Sequence, residues 1–156
     1  MRRLFIIIAS TLLLFSVVAC QKTVEKKQEH KVKQDTPSTV SYKFLKAYLQ
    51  NDYMEEQRYL YKKGSYELDK DKTINPIEFK TENIKGMKEY RDTRNEVVYV
   101  WMSYHNPHIN STSTEVYAVR KNNKGDYKID INADFNFENI QEKFDPIVID
   151  PNKLGV

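Results

Sequence analysis

The sequence predicts an α+β fold, in which helices cover one face of a curved antiparallel sheet of three to four strands. Between residues 39 and 61, apolar side chains recur at spacings of three and four, which is typical of amphipathic helices. From residue 78 onward β-branched and aromatic residues increasingly alternate with polar ones, which favours strands. The 156 residues make one domain with appendages and exclude large barrels and two-lobed enzymes.

Two helices are predicted at the start of the domain. The first covers residues 39–50, and Ser38 or Thr39 is its expected N-cap. The second covers residues 53–61, where Asp52 followed three residues later by a glutamate has the order of a capping box. The apolar residues of the first helix lie on one face, and the second helix would present Tyr53, Gln57, Leu60 and Tyr61. We expect both helices to pack on one face of the sheet.

The strands are predicted to form an antiparallel meander. They cover residues 78–90 with a bulge at Gly86, 96–105, 114–121 and 127–131. Asn-Asn-Lys-Gly at 122–125 is typical of a hairpin turn. The strand at 96–105 is apolar on both sides, so both faces of the sheet require a cover. The helices cover one face. The C-terminal extension, 135–156, is expected to cover the other, and a homodimer through the sheet face is the alternative.

A signal sequence is predicted at the N-terminus. Two arginines precede an apolar stretch from Leu4 to Ala19, which is shorter than the roughly 20 residues of a spanning helix. The stretch ends in Val17-Val18-Ala19-Cys20, and Cys20 is the only cysteine of the chain. This tetrapeptide resembles the lipobox of bacterial lipoproteins.

The lipobox resemblance implies a fate for residues 1–19 and for Cys20. The Cys20 thiol would receive a diacylglyceryl group, carrying acyl chains such as palmitate, and the signal peptide would be cut after Ala19. The acylated cysteine would then hold the protein on the outer side of a bacterial cell membrane, because two acyl chains give stable anchoring. An uncleaved N-terminal anchor and a soluble secreted form are the two alternatives.

A flexible tether is predicted between the lipid anchor and the domain. Residues 20–37 are almost wholly polar and cannot form a core. Of the 25 basic and 22 acidic residues, the signal holds two arginines and the tether five lysines against three acids, which leaves −1 for the rest. A near-neutral domain argues against nucleic-acid binding. Contact of the tether with an anionic bilayer is an alternative to plain solvation.

The domain at 38–134 is similar to a known superfamily over roughly residues 39–132. The helical segment FLKAYLQNDYMEEQRYL at 44–60 and the strand Gly-Asp-Tyr-Lys-Ile at 125–129 resemble the nuclear-transport-factor-two-like superfamily, which includes ketosteroid isomerase. The resemblance implies a cone-like α+β domain with an interior that is either a pocket or a filled core. Aromatic residues expected to line it are Tyr48, Tyr99, Trp101 and Tyr117. This chain departs from the superfamily at Gln57, where a small residue is common, and in its C-terminal extension.

No metal, cofactor or catalytic site is predicted. His105 and His108 could be metal ligands. However, the segment is predicted to form a hairpin loop, and no acidic or cysteine ligand lies nearby in the sequence. Asp and Asn side chains alternate along residues 130–136, as the oxygen ligands of a calcium loop do. However, the segment lacks the glycine and the glutamate that such a loop requires. We therefore expect a non-catalytic, membrane-anchored module that binds an envelope protein or other envelope component. The alternative is a small-molecule binder, or less readily an isomerase or dehydratase, that uses an aromatic pocket.

Overall fold

The computed structural model describes residues 34–66 and 70–156 as an α+β fold, as the sequence predicts. The predicted signal peptide, Cys20 and most of the tether lie outside the described residues. The helices are α1 (Pro37–Leu49), α2 (Tyr53–Tyr59) and α3 (Phe137–Lys143). The strands are β1 (Ile84–Asp92), β2 (Val97–Asn106), β3 (Ser111–Lys121), β4 (Tyr127–Ile129) and β5 (Ile147–Val148), and 3-10 turns cover Thr81–Asn83 and Pro151–Lys153.

The five strands form one open antiparallel sheet with the order β4-β3-β2-β1-β5. The sequence predicts three to four strands, and the additional strand comes from the C-terminal extension, where β5 pairs with β1 at the sheet edge. At the opposite edge, the backbone N–H of Tyr61 donates to the carbonyl of Ile129 at 2.8 Å. This bond and the bridge between Leu60 and Ile129 end α2 earlier than the predicted residue 61, because they require extended backbone.

The start of α1 differs from the prediction. Its N-cap is Thr36, whose hydroxyl accepts the backbone N–H of Thr39 at 3.1 Å. The expected caps, Ser38 and Thr39, lie within the helix. The physical reason is Pro37, because a proline fits the first helical position, where its missing N–H has no partner to lose. The predicted cap of α2 is confirmed, since Asp52 accepts the N–H three residues later at 3.0 Å.

The predicted strands agree in type with the observed ones and differ at their ends. The bulge at Gly86 is confirmed, because the register of β1 against β2 shifts between Ile84 and Gly86. The hairpin turn at 122–125 is also confirmed: Gly125 adopts a φ of 85°, and its N–H donates to the carbonyl of Asn122 at 2.9 Å. In contrast, β1 starts at Ile84 rather than at residue 78, after a 3-10 turn.

The larger core lies on the face of the sheet that contacts α1, which we call the helix face. Fully buried apolar side chains from α1 and from three strands fill it: Leu45, Val100, Met102, Val119 and Ile129 are each 0% exposed. Removing such side chains from water contributes roughly 1.5–3 kcal/mol each to folding. The interior of the helix face is therefore packed rather than hollow at these positions.

The opposite face of the sheet, which we call the tail face, carries a smaller core. The ring of Tyr99 lies 5.0 Å from that of Phe135, and Tyr90 contacts Phe137 edge-on at 5.4 Å. Ile140 of α3 is also buried here. The chain that follows β4 therefore covers the half of the tail face nearest the turn between β1 and β2.

A buried carboxylate connects the first turn of α1 to β1. The Ser38 hydroxyl donates to Glu89 Oε1 at 2.7 Å, and Arg91 donates to Oε2 at 2.7 and 3.2 Å, while Glu89 is only 2% exposed. The positive end of the helix dipole favours a carboxylate at this position. In the same turn, the Thr39 hydroxyl donates to the carbonyl of Leu154 at 3.2 Å. This turn therefore holds both β1 and the C-terminal segment.

We expect Glu89→Ala to destabilise the fold by about 3 kcal/mol, because it leaves buried donors without their acceptor. This loss of stability is at the lower end of the range for a broken buried ion pair. The reason is that Arg91 is half exposed, so water replaces part of the contact that it loses. Ser38→Ala should cost about 1–2 kcal/mol. Urea unfolding measures both changes, with the exposed Glu142→Ala as the matched control. If Glu89→Ala lowers the free energy of unfolding no more than the control does, the buried carboxylate does not stabilise the contact between α1 and β1.

Candidate functional site

The structure does not bring the four sequence-predicted aromatic residues together. Tyr117 is buried on the helix face, and Tyr48 lies near the end of α1 with 37% of its surface exposed. Tyr99 and Trp101 belong to the tail face, where Tyr99 is buried and Trp101 is partly exposed. The sheet therefore separates the two pairs, and they cannot line one pocket.

A different group of aromatic and acidic residues lies at one end of the helix face. We call it the tyrosine cluster, and it consists of Tyr48, Tyr66, Tyr104, Glu115 and Tyr117. The rings of Tyr48 and Tyr66 are 5.9 Å apart. Phe44 of α1 links Tyr66, at 6.2 Å, to Tyr117, at 5.3 Å.

The strand register places Glu115 within this cluster. Glu115 and Tyr117 are alternate residues of β3 and so share one face of the sheet. Their partners on β2 are Met102 and Val100, which are both fully buried in the helix-face core. A carboxylate therefore projects from the same side of the sheet as a fully packed apolar layer.

The end of α1 and the turn between β2 and β3 are joined beside the cluster. His108 Nε2 lies 2.8 Å from the backbone carbonyl of Leu49, the last residue of α1. Asn106 donates through its side chain to the Ser113 hydroxyl at 3.3 Å. These contacts hold the hairpin against the helix and so position Tyr104 and Tyr48 near each other.

Burial dominates the electrostatics of the tyrosine cluster. It raises the pKa of the Glu115 carboxyl above the ordinary value of 4.5. Burial raises the pKa of Tyr117 far above 10, and the charge of Glu115 adds to the effect. The pKa of Tyr66 is raised by burial and then by its hydrogen bond with Tyr48. At neutral pH the phenols of Tyr66 and Tyr117 therefore remain hydroxyl groups, and Glu115 is stabilised in its protonated form relative to a solvated acid.

A second carboxylate lies close to the tyrosine cluster. Glu56 of α2 is 0% exposed, and its charge raises the pKa of Tyr66. Gln57 donates to Glu56 Oε2 at 3.3 Å and to the carbonyl of Tyr66 at 2.7 Å. Gln57 occupies the position where the resembled superfamily commonly has a small residue, and here its amide connects α2 to the chain that follows.

Sequence reasoning missed Glu115 and Tyr66 as members of a site. The signal for Glu115 was the alternation along 113–119, which places Ser113, Glu115, Tyr117 and Val119 on one face. Tyr66 follows a Gly-Ser break and carries no periodic signal. Chemically, the cluster offers hydroxyl donors and a carboxyl group in a partly apolar setting, which suits hydrogen bonding to a polar ligand.

The sequence-based alternatives for metal binding fall on separated residues. His105 projects from the tail face of β2, whereas His108 in the following turn contacts Leu49 on α1. Asp130 forms an ion pair with Arg120 at 3.0 Å, and Asn136 is the N-cap of α3. Across residues 34–66 and 70–156, no group of three or more His, Cys, Asp or Glu side chains could hold a metal ion.

Comparison with protein-family models, curated proteins and solved structures found no match to this chain. The similarity to the nuclear-transport-factor-two-like superfamily and to lipoprotein signals therefore stays a prediction. Within the described part of the chain, no helix has the length and hydrophobicity needed to cross a membrane.

We expect Glu115→Gln to stabilise the protein at neutral pH but not in acid. Because the folded pKa of Glu115 is raised, its protonated form contributes stability that is complete below about pH 4.5 and is lost as the pH rises through the folded pKa. The glutamine amide is neutral at every pH and keeps that contribution. Urea midpoints of the variant and the wild type should therefore agree near pH 4 and differ at pH 8. Glu142→Gln, on an exposed residue, is the control, and an equal difference at both pH values would refute the assignment.

Proposed function

We propose that the chain is a lipid-anchored bacterial lipoprotein whose domain is a non-catalytic binding module on the outer face of the cell membrane. The observation that carries the proposal is the position of Cys20. The only cysteine of the chain directly follows an apolar stretch and the small residue Ala19. A disulfide or a thiolate metal site would need a second cysteine, whereas lipidation needs only this one.

The N-terminal residues that contact the folded domain lie close to Cys20 in the sequence, which agrees with a short tether. Gln34 donates to the carbonyl of Gly125 at 2.7 Å, and Lys43 pairs with Asp35 at 2.8 Å. Only about a dozen polar residues then separate Cys20 from the folded domain. The tether joins the domain beside the start of α1 and the turn between β3 and β4.

The tyrosine cluster lies at the other end of α1 from the tether. The 13 residues of α1 extend about 20 Å, and Tyr48 is near its last turn. We propose this end of the domain as the place where a component of the envelope binds. The packed helix-face core around Val100 and Met102 favours binding at a surface over chemistry in a deep cavity.

The test of the proposal is Cys20→Ala. We expect the variant to keep its signal sequence and to incorporate no labelled palmitate, because the acyl acceptor is missing. Electrophoretic mobility and metabolic labelling with a palmitate analogue measure both effects in cells. Ser16→Ala, within the same apolar stretch, is the matched control and should be processed and labelled normally. Normal processing of Cys20→Ala would overturn the lipoprotein assignment.

A small-molecule binder is the second candidate function, and the raised pKa of Glu115 beside Tyr104 and Tyr117 favours it. In this proposal, the α+β domain is a cone of the nuclear-transport-factor-two-like type, and the tyrosine cluster forms the mouth of its pocket. Native mass spectrometry of protein purified from its own membranes would then detect a retained small molecule. The same ligand should be absent from Glu115→Gln and present in Glu142→Gln.

A further inference from the structure

A cleft opens at the end of the sheet that carries the turn between β1 and β2. It is lined by residues 91–95, 143 and 144, has a volume of about 550 Å³, and is called the cationic cleft below. In the described part of the chain, β5 pairs only with Lys88 and Glu89, so the last residues of β1 have no neighbouring strand on that side. The end of α3 and the residue that follows it complete the lining.

Three basic side chains line the cationic cleft. Arg91 is in β1, Arg94 is in the turn, and Lys143 is the last residue of α3. Arg91 donates through Nε and Nη2 to Glu89, and its guanidinium is half exposed, which leaves Nη1 for a ligand. Arg94 and Lys143 are exposed, and across residues 34–66 and 70–156 neither forms an ion pair. The cleft therefore offers charged N–H donors that the protein itself does not use.

The one acidic residue in the lining, Asp92, is bonded within its own turn. Its Oδ1 accepts the backbone N–H groups of Arg94 and Asn95, each at 3.1 Å, and its Oδ2 accepts the side-chain amide of Asn95 at 2.8 Å. Asp92 is buried, and these bonds hold both of its oxygens against the turn. The nearby acids Glu142 and Asp145 do not line the cleft. The lining thus combines three cations with one carboxylate whose charge is offset by N–H donors.

The cationic cleft lies at the end of the domain that the predicted tether enters. The turns β1–β2 and β3–β4 are at the same end of the sheet, because Val97 at the start of β2 pairs with Arg120 near the end of β3. Gln34, the first described residue, donates to the carbonyl of Gly125 in the β3–β4 turn. Fully extended, the chain from Cys20 to Gln34 spans at most about 50 Å. An anchor on Cys20 would therefore keep this end of the domain within that distance of the bilayer.

We propose that the cationic cleft binds the phosphate group of an anionic phospholipid in the membrane that holds the anchor. Guanidinium groups match a phosphate because their N–H donors form paired hydrogen bonds with its oxygens, and an ammonium adds a further charged donor. Phe144 is partly buried against the tail-face core and gives the cleft an apolar wall, which suits the glycerol part of a lipid. The proposal rests on the proposed function, because the anchor supplies the nearby bilayer.

The tether favours a phospholipid over a soluble phosphate as the occupant. All three cations are exposed, so their contacts with an anion are screened by water and salt. A basic residue near an anionic membrane surface strengthens binding by only about fivefold. Such a weak site is occupied when its ligand is held at a high effective concentration, as lipid headgroups are for a tethered domain.

Lysine modification in lipid nanodiscs tests the proposal. The acylated protein is inserted into discs of phosphatidylcholine, or of an equal mixture of phosphatidylcholine and phosphatidylglycerol, and an uncharged N-hydroxysuccinimide ester modifies its lysines. We expect Lys143 to react about fivefold more slowly in the anionic discs, the factor for about 80% occupancy. Lys124 is at the same end of the domain but outside the cleft. Its rate should fall by about twofold at most, which measures the general effect of the charged surface.

Two arginine variants distinguish the cleft from general attraction to the membrane. Arg94→Gln should weaken binding about tenfold, the effect of one lost charge-assisted hydrogen bond, and so reduce the protection of Lys143 to about 1.4-fold. Arg58→Gln is the matched control, because it removes the same charge from an exposed arginine of α2 outside the cleft. It should keep the protection of Lys143. Equal urea midpoints of the two variants would show that the Arg94 effect does not come from unfolding.

Four outcomes would overturn the proposal. They are no slowing of Lys143 in the anionic discs, equal slowing of Lys143 and Lys124, full protection in Arg94→Gln, and equal protection by inorganic phosphate in phosphatidylcholine discs. The last outcome would assign the cleft to a soluble phosphate. Intact mass reports the acylation of Cys20 separately. The Cys20→Ala chain, held in the disc by its uncleaved apolar N-terminus, should show the same protection of Lys143, so failure of the anchor and failure of the lipid site are distinguishable.

Discussion

The carboxylate of Glu89 is the constraint on which the arrangement of the domain depends. A buried charge is tolerated only when hydrogen-bond donors and opposite charge surround it. Ser38, Arg91 and the N-terminal end of α1 meet that requirement together, and they can do so only with the helix at one rotation and one height against β1. In this position of α1, Phe44 and Leu45 lie in the helix-face core. The C-terminal end of the helix then lies beside the hairpin that carries His108.

The two faces of the sheet are covered to different extents. The helix face is filled by α1 and the strand side chains, whereas the tail face is covered by one short helix, α3, in which only Ile140 is buried. This asymmetry follows from length, because α3 has seven residues and extends only about 10 Å. A helix of that length cannot cover the whole of a sheet whose longest strand has 11 residues. The helix α3 therefore covers only part of the tail face.

Much of the fold could be predicted from the sequence, because its signals are local. The apolar spacing of the helices, the Asp52 cap, the bulge at Gly86 and the turn at Gly125 each depend on a few neighbouring residues. The candidate site depends on strand register, which is not local. The alternation showed that Tyr99 and Trp101 share a face, but only the pairing of Val100 with Tyr117 places Tyr117 on the other one.

Two further differences have physical causes that sequence patterns do not display. The first is the two-residue strand β5, whose pairing with Lys88 and Glu89 comes from the path of the tail rather than from strand propensity. The second is the burial of Glu115. A glutamate in an alternating strand is expected to be solvated unless the packing on that face is known. Its raised pKa arises from the layer around it, and that layer includes Tyr66, which belongs to no predicted element.

Under the proposed lipid anchor, the two edges of the sheet would affect how neighbouring copies of the protein meet. Copies anchored in one bilayer would share an orientation and diffuse in two dimensions, so unpaired strand edges would meet far more often than in solution. Here one edge is closed by the bond between Tyr61 and Ile129, and the other ends in a strand of two residues. That strand is followed by Pro151 and preceded by Pro146, and prolines and short length both discourage edge-to-edge pairing. The sheet would thus remain separate at high surface density, without lateral polymerisation of neighbouring molecules.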